Sequence, residues 1–370
     1  MPRIDRLDLY VVELRLTHGF TASTHSARTL LHVVVRATTA DGRTGWGEAP
    51  VPVDPYYLGE TTDTVWSVTR DFLAPAVMGR SWDTIEEFTA LYGRVKANNF
   101  ARCGMEMAAW NLLAATMDRP LATLLGGAAR THVPSGVSLG MDGDYDRLCD
   151  TIAHHVGQGY QRVKVKIGPG ADVKVLEAIR NRFPELPLMA DANCAYTLDD
   201  LPRLRDLDAF GLMMIEQPLA WDDLLDHATL QKELTTPLCL DESLTSAGRA
   251  REALALGSCR VVNIKPARLG GLLEAVRVHD ACVAAGVPVW CGGMHDFGIS
   301  RAANVTLSAL PGFTLPGDNS GSDKYFGEDI VTPETRAVDG LIEVPDTAVP
   351  YEVKEGFLEA HTRRHIQLTA

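Results

Sequence analysis

The chain has 370 residues, 46% of them hydrophobic and 22% charged, with a net charge of −13 at pH 7. That length exceeds one average domain and suits a large barrel with a smaller module. The acidic balance, with no basic cluster, argues against nucleic acid or an anionic membrane as a partner. Residues 1–16 interrupt every apolar stretch with a charge and do not read as a signal peptide, and no run approaches the roughly 18 apolar residues of a membrane span. The seven cysteines are odd in number and form no CxxC pair, the pattern of reduced thiols in a cytoplasmic protein.

In chain order, residues 3–16, 29–38 and 43–48 alternate or run apolar with β-branched content, and Asp41-Gly42 between the last two is a hairpin signal. Helical periodicity follows at 61–75, 84–95 and 101–117. These elements predict an α+β capping domain over 1–127. Short apolar runs then recur at 133–139, 162–167, 188–193, 212–217, 237–242, 261–266, 287–292 and 313–317, with helical stretches such as 246–257 and 271–285 between them. Strand and helix in strict alternation over 128–335 predict a (β/α)₈-type, TIM-like barrel, an α/β fold. The tail, 336–370, is polar with short apolar pieces and is expected to pack back on the capping domain. The apolar helix at 101–117 makes a homo-oligomer the expected state.

Five ionisable residues keep the period of the barrel. Lys166, Asp191, Glu216, Asp241 and Lys265 are separated by 25, 25, 25 and 24 residues, each at the end of an apolar run. Residues at the C-terminal ends of barrel strands converge on one mouth, so these charges are expected in one pocket. Three carboxylates brought together push protons onto one another unless a cation intervenes. An all-oxygen set suits magnesium, with manganese as the substitute, better than zinc, which favours Cys and His. Lys164 and Lys166, two apart on a strand, share a face, while Lys265 comes from the opposite side of an eight-strand ring. Two lysines facing each other across a cation suit removal of a proton from one face of a carbon and its delivery to the other. Abstraction of a proton α to a carboxylate needs this set, because the enediolate gathers two negative charges. A small carboxylate is then the expected substrate.

The segments KVK (164–166), DAN (191–193), EQP (216–218), DES (241–243) and NIKP (263–266) resemble the enolase superfamily, muconate-lactonizing subgroup, over nearly the whole chain, including WGE at 46–48. A Lys or His base with magnesium is that superfamily's known pairing. VWCGGM (289–294) and SRAANVTLSALPGFTLPGD (300–318) are similar to the N-acylamino acid racemase / o-succinylbenzoate synthase branch. The resemblance implies Asp191, Glu216 and Asp241 as magnesium ligands and Lys166 and Lys265 as the acid/base pair. It implies Lys164 as a holder of the substrate carboxylate, and Asn193 and Glu242 as supports behind the ligands. The implied activity is racemisation of an N-acylamino acid, most simply an N-succinylamino acid. The alternatives are dehydration to o-succinylbenzoate, then muconate-type cycloisomerisation. From a different class, a Schiff-base aldolase would use Lys265.

One position departs from that branch. An apolar residue, a Glu and a small residue usually follow GGM, whereas this chain has His295, Asp296 and Phe297. His295 and Asp296 follow the seventh strand and are expected to line the pocket, with His295 a substrate contact rather than the His base of the mandelate-racemase subgroup, which lacks the lysine that Lys265 supplies. Asp318 opens the eighth-strand loop GDNSGSD as a further contact; because position 320 is Ser, the Asp-x-Asp pair of the dipeptide epimerases is missing. In the resembling family, capping-domain loops close over the distal end of the substrate. That implies Phe20, Tyr56 and Tyr57 as walls, with His25 and Arg28 available to an acidic group.

Overall fold

The alternating segments near the N-terminus pair as expected. In the computed structural model, which describes residues 1–21 and 26–370, strands Arg6–Thr21, Ser26–Thr38 and Thr44–Ala49 form an antiparallel sheet. His25 lies outside the described residues. Gly42 turns the hairpin at φ +85°, in the left-handed region that glycine enters without strain. The end of the tail, Thr362–Thr369, adds a fourth strand beside Arg6–Thr21. An earlier piece of the tail does not join it. Leu341–Glu343 pairs instead with His132–Pro134.

Helix Asn99–Met117 lies against the third strand, and glycines set how closely. A Cβ on Gly47 would stand 2.0 Å from the Gly104 carbonyl, and one on Gly45 2.2 Å from that of Ala108. The expected helix at 61–75 is interrupted: helices Thr62–Val68 and Ala74–Val77 flank a π-turn at Thr69–Leu73.

Seven parallel strands follow in unbroken spatial order: Val137–Leu139, Val163–Lys166, Leu188–Asp191, Ile215–Glu216, Leu238–Leu240, Val261–Ile264 and Val289–Cys291. The eighth segment closes the ring through isolated bridges, Val289 with Phe313 and Ser135 with Gly317. Pro316, which has no N–H, keeps it from forming a full ladder. The expected first strand, 133–139, is divided: its first part turns to the tail and only Val137–Leu139 joins the barrel. The fold is a TIM-like barrel with a capping domain. Among the described residues no helix is long and apolar enough to cross a membrane, and all seven cysteines are free.

Buried carboxylates fasten the cap to the barrel. Glu106, in the long capping helix, accepts the Leu273 N–H at 2.8 Å where helix Leu272–Ala284 begins, and the Trp110 indole N–H at 3.0 Å. Burial pushes the Glu106 carboxyl up to about 7, against the pull of those donors. In the unfolded chain it ionises near 4.5, so folding takes up a proton between those values. The contribution is most favourable below about pH 4.5, declines by about 3 kcal/mol as pH rises to 7, and is level above it. Glu106→Gln is expected to remove that decline. Urea denaturation of both proteins at pH 5 and pH 8 checks it; parallel changes in the two proteins would exclude Glu106 as the source.

Candidate active site

Strand alternation aims the site. On Val163–Lys166, Val163 and Val165 face the helices and join a buried apolar cluster, leaving Lys164 and Lys166 on the inner face. The ladder sets Lys166 beside Asp191 and Asp191 beside Glu216. Asp241 and Lys265 each follow the last residue of their strands. The structure therefore brings together all five residues of the 25-residue period, and none is more than 8% exposed.

Each carboxylate holds a cation. Lys166 Nζ donates to Asp191 Oδ2 at 2.6 Å and to Asn193 Oδ1 at 2.6 Å. Lys164 Nζ lies 3.0 Å from Glu216, 3.4 Å from Asp191 and 2.6 Å from Asp318. Lys265 Nζ donates to Asp241 Oδ2 at 2.7 Å. Arg268 holds the other oxygen of Asp241, which also accepts from the Tyr57 hydroxyl at 2.9 Å. Asn193 reaches on to Glu242 at 3.1 Å.

The acids divide by neighbourhood. Burial, then the charges of Asp191 and Asp241, raise Glu216 to about 7. Burial, then Asp241 and Asp191, raise Glu242 to about 8. Burial works against ionisation of Asp191 and Asp241 too, but Lys166 with Lys164, and Lys265 with Arg268, outweigh it and hold both low. Lys164 and Lys265 are disfavoured as cations by burial, yet Asp318 for the first and Asp241 for the second keep them above the ordinary lysine range. Among the described residues no three acidic, His or Cys side chains already stand as a cage; the carboxylates face ammonium groups instead. The donor set still fits a hard divalent cation: three buried carboxylates that raise one another's proton affinity, all offering oxygen. The Glu242 Oε2 atom behind them is buried without a hydrogen-bond partner.

A cavity of about 410 Å³ opens above these groups, and Lys164, Lys166 and Lys265 line it. Phe20 is in its wall, with Lys166 Nζ 5.6 Å from the ring centre. Tyr56 is not; it is 64% exposed. Its neighbour Tyr57 lines the cavity instead and turns inward to Asp241. His295 lines the cavity at φ +59°, its ring edge-on to Phe20 at 4.4 Å and to Tyr325 at 5.3 Å. Asp296 and Asp318 line it too, but their oxygens are engaged. Asp296 accepts from Met294 N–H at 3.0 Å and Ser300 hydroxyl at 2.7 Å. Asp318 pairs with Lys164 and with Arg162 at 2.7 Å.

The loop bearing His295 and Asp296 is tied to the cap. Glu48, the acid of WGE, accepts the N–H groups of Phe297 at 2.8 Å and Ser300 at 2.9 Å. His32 bonds Glu48 at 2.8 Å and stacks on Phe297 at 4.2 Å.

Three residues of the site escaped the sequence reading. Arg162 stacks on Trp290 and pairs with Asp318. Arg268 bonds Asp241 from a one-turn helix after Lys265. Asn263 donates to Glu216 at 2.6 Å. Asn263 and Arg162 had a readable signal: each lies two residues before a lysine of the set, Lys265 and Lys164, and so shares its strand face.

Residues 6–126 match the family described as mandelate racemase / muconate lactonizing enzyme, N-terminal domain, and residues 148–348 the one described as enolase C-terminal domain-like. The chain belongs to the enolase superfamily. Within it, the chain is 45% identical over 361 residues to the o-succinylbenzoate synthase of Geobacillus kaustophilus, covering 97% of this chain and 96% of that one. It is 43% identical to the N-succinylamino acid racemase of Thermus thermophilus, covering 97% of each. Among solved structures, an enolase-superfamily protein of Listeria innocua superposes with a TM-score of 0.95 at 34% identity over 100% of both chains. The chain is an enzyme of this superfamily, whose relatives carry the names of a lyase and of an isomerase.

Proposed function

We propose that this enzyme racemises an N-acylated amino acid, most simply an N-succinylated one, through a magnesium-dependent enediolate. The observation that carries the reading is the placement of Lys166 and Lys265 on the second and sixth strands of an eight-membered ring, so that their ammonium groups enter one cavity from opposite sides. Asp191, Glu216 and Asp241 would hold the ion. Bound there, magnesium supplies positive charge beside the substrate carboxylate, where negative charge grows as the α-proton leaves.

The chain's own groups do the proton work. One lysine, neutral, takes the proton from the face it meets; the other, charged, returns one to the opposite face, and the roles exchange for the other enantiomer. Asp241 keeps Lys265 charged in the resting arrangement, the state of a donor. Lys164, paired with Asp318, adds the charge that steadies the substrate carboxylate. Phe20, His295 and Tyr57 shield the site from water, which strengthens each of these interactions.

Dehydration to o-succinylbenzoate is the second reading, favoured by relatives of that name at 45% and 46% identity. It uses the same enediolate, with Lys166 as base and acid and Lys265 steadying the anion. Proton NMR in D₂O separates the two, with N-succinyl and N-acetyl amino acids of both hands and the cyclohexadiene precursor as substrates, with magnesium and then with chelator. Metal-dependent exchange and inversion from both hands is expected. Loss of water from the cyclohexadiene without exchange in the amino acids would move the assignment to the synthase.

A further inference from the structure

Helix Gly298–Ser308 follows the seventh strand without a side-chain cap of its own. Phe297 stands at the cap position, where a side-chain oxygen usually accepts one of the first free N–H groups. Carboxylates distant in sequence take that part. Glu48, from the third strand of the capping domain, accepts from Phe297 at 2.8 Å with Oε1 and from Ser300 at 2.9 Å with Oε2. Asp329 accepts the Gly298 N–H at 2.9 Å. Glu48 is fully buried and His32 nearly so. His32 Nδ1 bonds Oε1 at 2.8 Å while its ring lies on Phe297.

What this anchors is a residue in a disfavoured conformation. His295, two positions before Phe297, has φ +59°, in the left-handed region that a residue with a Cβ seldom enters. Such a conformation persists only where its surroundings over-determine it. Around His295 they do. The Met294 N–H bonds Asp296 Oδ2, the Asp296 carbonyl accepts from Arg301, and the Phe297 N–H goes to Glu48. So held, the imidazole stands in the wall of the catalytic cavity, edge-on to Phe20 of the capping domain and to Tyr325 beyond the eighth segment. Glu48 itself does not line that cavity.

We propose that Glu48, braced by His32, is a positioning residue for the reaction: docking of the capping domain completes the helix cap and holds His295 in the left-handed conformation that brings its imidazole into the cavity wall. This rests on the proposed enolisation. It gives the capping domain a part in assembling the site, besides covering it, and that part is played through His295.

A double-mutant cycle separates this role from support of the fold alone. Glu48→Gln keeps the size of the side chain but places an NH₂ where one accepting oxygen stood. It is expected to lower kcat/KM for α-proton exchange of an N-succinylamino acid by about ten- to a hundredfold, the cost of a displacement of about 1 Å. In a His295→Gly background the ring is absent and glycine takes φ +59° without strain, so most of that loss is expected to vanish. His32→Phe keeps a ring over Phe297 and removes the bond to Glu48; it should follow the same pattern, and it decides the matter if Glu48→Gln does not fold. An equal fold-loss in both backgrounds overturns the proposal, because Glu48 would then act without His295. Proton NMR of the full chain gives a second reading. The His295 imidazole signals, recognised by their absence from the His295→Gly spectrum, are expected to be displaced by the ring currents of Phe20 and Tyr325 and to lose that displacement in Glu48→Gln and in His32→Phe. Signals that stay in place in both variants also overturn it. The spectrum needs no turnover. Silence of the wild type on every N-acylamino acid would count against the enolisation reading, while the imidazole signals would still decide whether Glu48 positions His295.

Discussion

Lys166→Ala and Lys265→Ala are each expected to abolish racemisation, with losses of roughly 10²–10⁴ or more, the contribution of a positioned acid or base. The two losses should differ in hand. With Lys166 removed, Lys265 still meets one face of the α-carbon, so the enantiomer presenting its proton there keeps some exchange with solvent deuterium and is not inverted. With Lys265 removed, the other hand keeps exchange. Folding should survive both changes. Asp191 retains Lys164 at 3.4 Å, and Asp241 retains Arg268 and the Tyr57 hydroxyl. Chiral analysis with proton NMR in D₂O reads both effects. Full inversion in either variant would exclude the two-lysine reading. Loss in Lys166→Ala alone would leave Lys166 as the single acid and base, the arrangement the synthase needs.

The parts of this molecule that were legible in the sequence are those governed by a regular period. A βα repeat returns the chain to the same mouth every 25 residues or so, and strand parity decides which side chains enter, so Lys164, Lys166, Asp191, Glu216, Asp241 and Lys265 could be gathered in advance. Where no period applies, the reading weakened. In the loop around residue 56 nothing in the sequence says which of two adjacent tyrosines turns inward, and the structure selects Tyr57. Arg268 sits in a one-turn helix whose direction depends on packing under the cap. The eighth segment looked like a strand by composition, but Pro316 denies it a ladder. The Glu48 clamp joins residues about 250 positions apart, across a domain interface that no local pattern records.

Asp241→Asn is expected to cost both activity and stability, whereas Glu216→Gln should cost activity alone. The two acids have equivalent places in the proposed ligand set but opposite electrostatic positions. Asp241 is fully buried between Lys265, Arg268 and the Tyr57 hydroxyl, and its ionised form is favoured. Removing its charge leaves two buried cations without their counter-ion, a loss of about 3–5 kcal/mol. Glu216 is ionised reluctantly, raised to about 7 by burial and by its acidic neighbours, so a neutral side chain of the same shape should change stability by about 1 kcal/mol or less, with the bond from Asn263 kept. Urea denaturation in chelator measures these intrinsic differences. Adding magnesium should then stabilise the wild type by ligand linkage, and both variants should lose that increment together with catalysis. A wild-type increment in either variant would remove that residue from the ligand set. Equal destabilisation of the two in chelator would show that the lysines and Arg268 distribute their charge over all three acids rather than favouring Asp241.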